Sequence, residues 1–526
     1  MGNEKSVSKG LFWKLCERFG VLGMQFVLQI LLARLLDPAH YGALSIMLIF
    51  TSLANVFIQH GLNTALIQNK DVTEEDYSSV FWISIGIEAI LYAVIFFAAP
   101  FIADYYGMPD IVAPLRVLAL MLFPGALNSV QLAKVSREMK FRKVFVSNLA
   151  AIVISGGVGI VIALLGGGLW ALVAQSMLNV FIACIVMRFT SKLKLHFKCN
   201  LSRVRVLLKF GWKILLSSLI DVLYQDIRTL VIGKKYDDDT LGFYSRGKQF
   251  PQFLINGING AVQSVMLPAL SSKQDHKSQV KSMMRSSITL SSYIIFPMMA
   301  GLAGVASPLV AILLGEKWMP CVPFLQVYCF TFAFYPVHTC NLQAINAMGR
   351  SDLYLWLELI KKGYGIIALV IAVLFFDDPI AIALTGTITG LISCFVNAFP
   401  NKKLVGYSYK EQARDILPAL IMSLVMMAIV LASGEGIKWL FAIPHVNGAL
   451  NAATSGILNI IPAVGKILPV GVVMSNLVLI SQLAIQIVVG VAVYIVLSLI
   501  FRVKAFKMLL TAAKNMLVKR KKASVE

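Results

Sequence analysis

Apolar stretches of about 20 residues, the length a helix needs to cross the hydrocarbon of a bilayer, recur along almost the whole chain. Fourteen can be read, near 12–36, 41–62, 78–103, 112–133, 144–165, 169–189, 210–232, 250–271, 286–314, 321–346, 354–376, 379–399, 414–433 and 476–501. The polar connections between them are short and leave no room for a large soluble domain. The one long connection, 434–475, is punctuated by Gly, Pro and Asn but still apolar (Trp439, Leu440, Phe441, Ile457), and reads as interfacial helices or an extra hairpin. The pattern predicts an all-α integral membrane protein.

Composition agrees. The 526 residues are 58% hydrophobic and 14% charged, against about 45–50% and 25% in soluble domains, which excludes a water-soluble enzyme. With 31 Phe, a disordered polar chain is excluded as well. The seven Cys form no CxxC pair and the six His show no ligand spacing, so neither a metal site nor a disulfide framework is expected. No GxxxxGK[ST] phosphate loop occurs.

The net charge of +21 is mostly topology. With the N-terminus in the cytoplasm and the spans alternating, 33 of the 47 Lys and Arg fall on the inner side and seven on the outer; the remaining seven lie within or at the edge of spans. That asymmetry places both termini inside. The segment 502–526 reads as a basic amphipathic helix on the anionic inner leaflet.

An internal repeat organises the spans. Ala33-Arg34-Leu35-Leu36-Asp37 through Tyr41-Gly42-Ala43-Leu44-Ser45 aligns without gaps, at an offset of 200, on Gly233-Lys234-Lys235-Tyr236-Asp237 through Leu241-Gly242-Phe243-Tyr244-Ser245. The matches are polar and glycine positions, and six spans separate the copies, so the repeats are parallel. The expected organisation is an N-lobe (1–190, spans 1–6), a cytoplasmic linker (191–209), a C-lobe (210–400, spans 7–12), and a C-terminal pair of spans (401–501) that encloses 434–475 as an outside insert. The repeat also accounts for part of Asp237-Asp238-Asp239, because Asp37 holds the same place in the first copy; Thr73 with Glu74, Glu75 and Asp76 reads as the N-cap of span 3.

Ionisable side chains within spans are costly and usually face a cavity or a partner. At about 100° per residue, Lys14, Arg18, Gln25 and Gln29 lie within an arc of about 60° on span 1. Ser217, Asp221, Tyr224, Gln225 and Arg228 share an arc of about 100° on span 7, and Gln252, Asn256, Asn259 and Gln263 one of about 60° on span 8. Span 2 carries Asn55 and Gln59, with Asn63 beyond. The functional reading is a hydrophilic cavity between lobes; the structural alternatives are snorkelling of Lys14 and Arg18, an Asp221–Arg228 pair, and amides that only tie helices together. Cavity cations (Lys14, Arg18, Arg34, Arg116, Arg228) suit a phosphate-bearing solute or headgroup, and the amides (Asn55, Gln59, Asn63, Asn256, Asn259, Gln263) suit a hydroxyl-rich sugar. Glu88, with no basic residue within a turn, and Asp221 are the ion-coupling candidates.

The segment Leu241-Gly242-Phe243-Tyr244-Ser245-Arg246-Gly247-Lys248-Gln249-Phe250-Pro251 resembles the Wzx-type oligosaccharide flippases, particularly their colanic-acid/lipopolysaccharide branch, within the multidrug/oligosaccharidyl-lipid/polysaccharide superfamily. So do Leu267-Pro268-Ala269-Leu270-Ser271, Glu316-Lys317-Trp318, Asn341 to Arg350 and Pro400-Asn401-Lys402-Lys403. The resemblance covers roughly 5–433. It implies two six-helix lobes around a cationic cavity and a flippase moving undecaprenyl-diphosphate-linked oligosaccharide repeat units to the outer leaflet by alternating access. It further implies a multi-pass protein of the bacterial cytoplasmic membrane, with the polymerase and glycosyltransferases of the pathway and membrane lipids as partners. No nucleic acid and no cofactor is expected beyond coupling to H+ or Na+. The competing readings are a drug/cation antiporter of the same superfamily and a membrane polymerase or glycosyltransferase. The antiporter would favour an acidic cavity. The enzyme would need a large outside loop with catalytic acids or Arg, and 434–475 holds only Glu435 as an acid and no Arg.

Overall fold

The apolar stretches fold as helices, and among the described residues all regular structure is helical. The computed structural model describes residues 20–57, 66, 73–138, 140–191, 193, 195–196, 201–442 and 470–511. Lys14, Arg18, Gln59, Asn63, most of the insert 434–475 and the end of the basic tail lie outside them.

In chain order the helices are α1 (Gly20–Leu35), α2 (Pro38–Val56), α3 (Glu74–Tyr106), α4 (Val112–Ala119), α5 (Leu122–Arg137), α6 (Phe141–Leu164), α7 (Leu169–Ser191) and α8 (Leu201–Lys235). They continue as α9 (Asp238–Ser271), α10 (Lys277–Gly304), α11 (Ala306–Leu313), α12 (Val322–Ala333), α13 (Tyr335–Ala347), α14 (Ser351–Phe375), α15 (Pro379–Leu404), α16 (Tyr409–Ala442) and α17 (Val470–Ile500).

Ten segments among the described residues are long and apolar enough to cross a membrane. The other four predicted stretches fall on α1, α8, α9 and α14. In α8, α9 and α14 the polar residues are concentrated: Asp221, Asp226 and Arg228 on α8, the amide stripe on α9, and Glu358, Lys361 and Lys362 on α14.

Three predicted spans are interrupted. The stretch 112–133 breaks between α4 and α5, 286–314 between α10 and α11, and 321–346 between α12 and α13. Two of the breaks match each other: Pro124 and Pro336 each sit in the first turn of the second half, where a missing N–H costs least, and seven residues later stand Gln131 and Gln343.

The helices divide into two compact units, Met1–Arg246 and Gly247–Glu526, with the boundary inside α9 rather than in the segment 191–209. In the first unit α6 presents a small residue every fourth position (Ser147, Ala151, Ser155, Gly159, Ala163), all buried. That ridge lets α7 approach closely: a Cβ on Gly159 would stand 2.9 Å from the Gln175 side chain. Ser147 donates to the Ala183 carbonyl and Asn179 to Ser155. In the second unit α10 packs against α12, α13 and α16, and α16 against α17.

The two copies of the repeat meet within the first unit. The Oγ of Ser45 donates to the Oγ of Ser245 at 2.8 Å. A Cβ on Gly42 would lie 2.1 Å from the Asp238 carbonyl oxygen, and one on Gly242 would lie 2.1 Å from that of Pro38, the counterpart of Asp238. Each copy therefore lays its glycine on the first helical turn of the other, where no side chain fits. These contacts bind the start of α9 to α2.

Candidate functional site

Helix α3 opens as the sequence predicts: the Thr73 backbone N–H and hydroxyl both donate to Asp76, at 2.8 and 2.9 Å. Beyond the cap, Tyr77, Val80, Ser84, Glu88, Ile95, Ala99 and Ala103 are buried at spacings of three, four and seven residues, which is one helical face. That face packs on α5. Near its start Tyr77 and Val80 cluster with Val130 and Ala133; further on, the Tyr92 and Phe123 rings lie 5.5 Å apart. Glu88 lies on the same helical face between these two contacts. It is fully buried, and among the described residues neither carboxyl oxygen has a hydrogen-bond partner. A buried carboxylate without a partner is costly. On α5, Gln131 is likewise fully buried with both amide atoms unpartnered.

The candidate cations are placed individually. Arg34 is exposed at the end of α1. Arg116 is half-buried on α4; its Nε donates to the Phe96 carbonyl at 3.1 Å and its guanidinium lies 4.1 Å from the Phe96 ring centre. It is thus held on α3, two turns from Glu88. Arg228 is buried on α8 with its guanidinium 5.8 Å from the Tyr224 ring centre. Asp221, two turns earlier, is half-buried. Arg246 was not among the sequence candidates, although it stands in the quoted family-like segment. It is 5% exposed, stacks over the Tyr41 ring at 3.8 Å and donates to the Gln29 side chain at 3.4 Å. It follows Ser245 in the second repeat copy, and its counterpart in the first is the aliphatic Ile46.

Of the polar stripe, Asn55 is half-buried and donates back to the Thr51 carbonyl at 3.0 Å. In the second unit Asn256 and Gln263 are exposed, whereas Asn259 is buried and accepts from the Thr339 hydroxyl at 2.6 Å. That unit also contains an amide network the sequence reading missed. Asn341 on α13 and Gln412 on α16 exchange hydrogen bonds at 3.0 and 3.2 Å, and Asn401 on α15 donates to the Asn341 side chain at 2.8 Å. Single amides in apolar runs carry no spacing signal; only the packing brings them together.

No cluster of His, Cys, Asp or Glu able to hold a metal occurs among the described residues. What the chain does offer is a many-helix membrane scaffold with a few charged groups buried within it, which is the construction of a membrane transporter. That fold is shared with a lipid II flippase, MurJ, in an inward closed conformation: the TM-score is 0.66 over 94% of this chain and 98% of that one, at 14% identity.

The chain belongs to the polysaccharide biosynthesis protein family, whose profile matches residues 31–323. It is similar to the succinoglycan biosynthesis transport protein ExoT of Rhizobium meliloti (strain 1021), 24% identical over 80% of this chain and 82% of that protein. It is also similar to the lipopolysaccharide biosynthesis protein WzxC of Escherichia coli (strain K12), 23% identical over 83% of this chain and 89% of that one.

Proposed function

We propose that this protein is a flippase that carries polyprenyl-diphosphate-linked oligosaccharide units across the bacterial cytoplasmic membrane for assembly into a surface polysaccharide. The observation that carries the reading is membership of the polysaccharide biosynthesis family, with relatives named for transport and lipopolysaccharide biosynthesis along four-fifths of this chain. The basic asymmetry of the connections supports fourteen crossings with both termini in the cytoplasm. The substrate's diphosphate suits arginine, which pairs with phosphate oxygens in two parallel hydrogen bonds. Lys14, Arg18, Arg34, Arg116 and Arg228 are the residues for that role, with the amides for the glycan.

Glu88 is the coupling residue. Its carboxyl has no counter-charge within hydrogen-bonding distance among the described residues, so it takes a proton or Na+ in one state and must give it up in another. The polymerase and glycosyltransferases of the same pathway supply and consume the substrate.

The test is deletion of the gene followed by analysis of the lipid extract. Accumulation of polyprenyl-linked oligosaccharide with its glycan on the cytoplasmic side, and loss of the surface polymer, is the expected result. Loss of polymer with outward-facing saccharide would instead indicate a polymerase.

A further inference from the structure

The connection between α15 and α16 is held by hydrogen bonds at both ends. Helix α15 ends where the Asn401 carbonyl accepts the N–H groups of Val405 and Tyr407, at 3.1 and 3.2 Å. Between them Gly406 takes a φ of 73°, a conformation that favours glycine, while Val405 and Tyr407 are buried. Ser408 then opens α16, its N–H and its hydroxyl both donating to Glu411 at 3.0 Å. The Tyr409 hydroxyl ties α16 back to α15 by donating to the Phe395 carbonyl at 3.0 Å. Around this turn cations and acids are close in sequence but part in space. Glu411 and Asp415 are taken up by α10, where Lys281 reaches Glu411 at 2.8 Å and Arg285 reaches Asp415 at 2.7 Å. Lys402 and Lys403 at the end of α15, and Lys410 and Arg414 at the start of α16, are exposed. Deeper along the same helices the exposed side chains are apolar: Phe395 and Phe399 on α15, Leu417 and Ile421 on α16. Spacings of three, four and seven residues put them on the faces that carry the cations.

We propose that this corner binds an anionic phospholipid with two phosphates, of the cardiolipin type, its headgroup on the four cations and its acyl chains on the apolar faces beneath them. Charge complementarity carries the choice. The inside bias of Lys and Arg asks only for basic connections; here four cations are fixed on two helices joined by a turn of four residues, and the acids beside them are drawn away to α10. Basic pockets between helices on the cytoplasmic side suit such headgroups. One pair of cations per helix matches two phosphates on one headgroup, and Arg414 adds a forked donor to one of them. Exposed apolar faces on both helices suit a lipid that carries chains on each phosphate. The site lies wholly in the second unit and uses none of the residues given a role in transport. It needs only that this connection lies on the inner side, so it stands or falls apart from the identity of the transported substrate.

The test uses the full-length protein, delipidated in detergent and titrated with cardiolipin, phosphatidylglycerol or phosphatidylethanolamine. Bound lipid is counted by native mass spectrometry, and the melting temperature is followed in parallel. Wild-type protein should bind one cardiolipin about tenfold or more tighter than either of the others. That binding should weaken with added salt and should raise the melting temperature.

The variant Lys402→Gln/Lys403→Gln/Lys410→Gln/Arg414→Gln should lose the preference while melting like wild type in the absence of lipid, because all four side chains are exposed. The milder Lys410→Gln/Arg414→Gln should lose about half of it on a logarithmic scale, one of the two cation pairs being gone. A control that removes as much charge from other exposed positions, Lys273→Gln/Lys277→Gln/Lys504→Gln/Lys507→Gln, should keep it. No preference in the wild type, a preference kept by both site variants, or an equal loss in the control overturns the proposal. Extracted polyprenyl-linked oligosaccharide is added last as a competitor. Cardiolipin that stays bound supports the proposal, and displacement at equal concentration gives the corner to the transported lipid and overturns it. If the deletion strain accumulates no lipid-linked saccharide, the substrate assignment falls, whereas the cardiolipin titration still decides this site.

Discussion

In Met1–Arg246 two of the most deeply buried polar side chains, Glu88 and Gln131, have no hydrogen-bond partner for any polar side-chain atom among the described residues. In Gly247–Glu526 many of the comparable groups are knit together, although Ser292 keeps an unpartnered hydroxyl and Asn401 an unpartnered Oδ1 among the described residues. Asn341, Asn401 and Gln412 share their hydrogen bonds across three helices. Asp415 receives both Nε and Nη2 of Arg285 at 2.7 Å, as well as the Tyr407 hydroxyl at 2.9 Å. Lys281 reaches Glu411 at 2.8 Å. Satisfied networks hold helices in one arrangement, whereas an unsatisfied buried group is a standing cost that evolution removes unless it is used. On the proposed reading the chemical work falls to Glu88 in the first unit, while the shared bonds of the second tie α10, α13, α15 and α16 together.

The sharpest way to break this comparison is Glu88→Gln, which keeps the shape and removes the charge. Transport should fall by about tenfold or more while thermal stability in detergent holds or rises, since a costly buried ionisable group has been neutralised. Wild-type transport by the variant would return Glu88 to a structural role.

Gln412→Leu should act in the opposite sense. It removes two of the hydrogen bonds of the buried Asn341 side chain, leaving those with Asn401 and the Val337 carbonyl, and should destabilise the protein by about 1–3 kcal/mol, read as a lower melting temperature, with transport per folded molecule largely kept. Asp415→Asn weakens a forked pair, but Arg285 is 43% exposed, so solvent screening limits the loss to about 1 kcal/mol. Lys281→Ala, at a half-exposed pair, should change stability by less than about 0.5 kcal/mol. If the effects of Gln412→Leu and Lys281→Ala were equal, the distinction between buried network and surface tether would collapse.

The sequence made the helical spans legible because lipid demands long apolar runs, and made Glu88 legible because a lone acid in such a run is conspicuous. It also gave the pairing of Gly42 with Gly242, through the offset of 200, though not their mutual contact, which needs the two copies to meet in space. The helix breaks after Ala119 and Ala333 were missed because apolar residues (Leu120, Met121, Phe334) continue through them; Pro124 and Pro336 were the available signs. Gln131 and the Asn341–Gln412–Asn401 network were hidden for a different reason. One amide barely alters an apolar run, and whether it is satisfied depends on a partner tens of residues away. Arg246 was read as part of a motif, and its burial against Tyr41 is a tertiary fact.

The most direct measurement is flipping itself. Purified protein is reconstituted in vesicles with extracted lipid-linked oligosaccharide, and the glycan exposed to an impermeant glycosidase is followed with and without an imposed H+ or Na+ gradient. The account predicts that wild-type protein makes the protected half of the glycan accessible, faster under one of the gradients, and that Glu88→Gln loses that acceleration. A wild-type protein that leaves the protected half untouched under every gradient would contradict it.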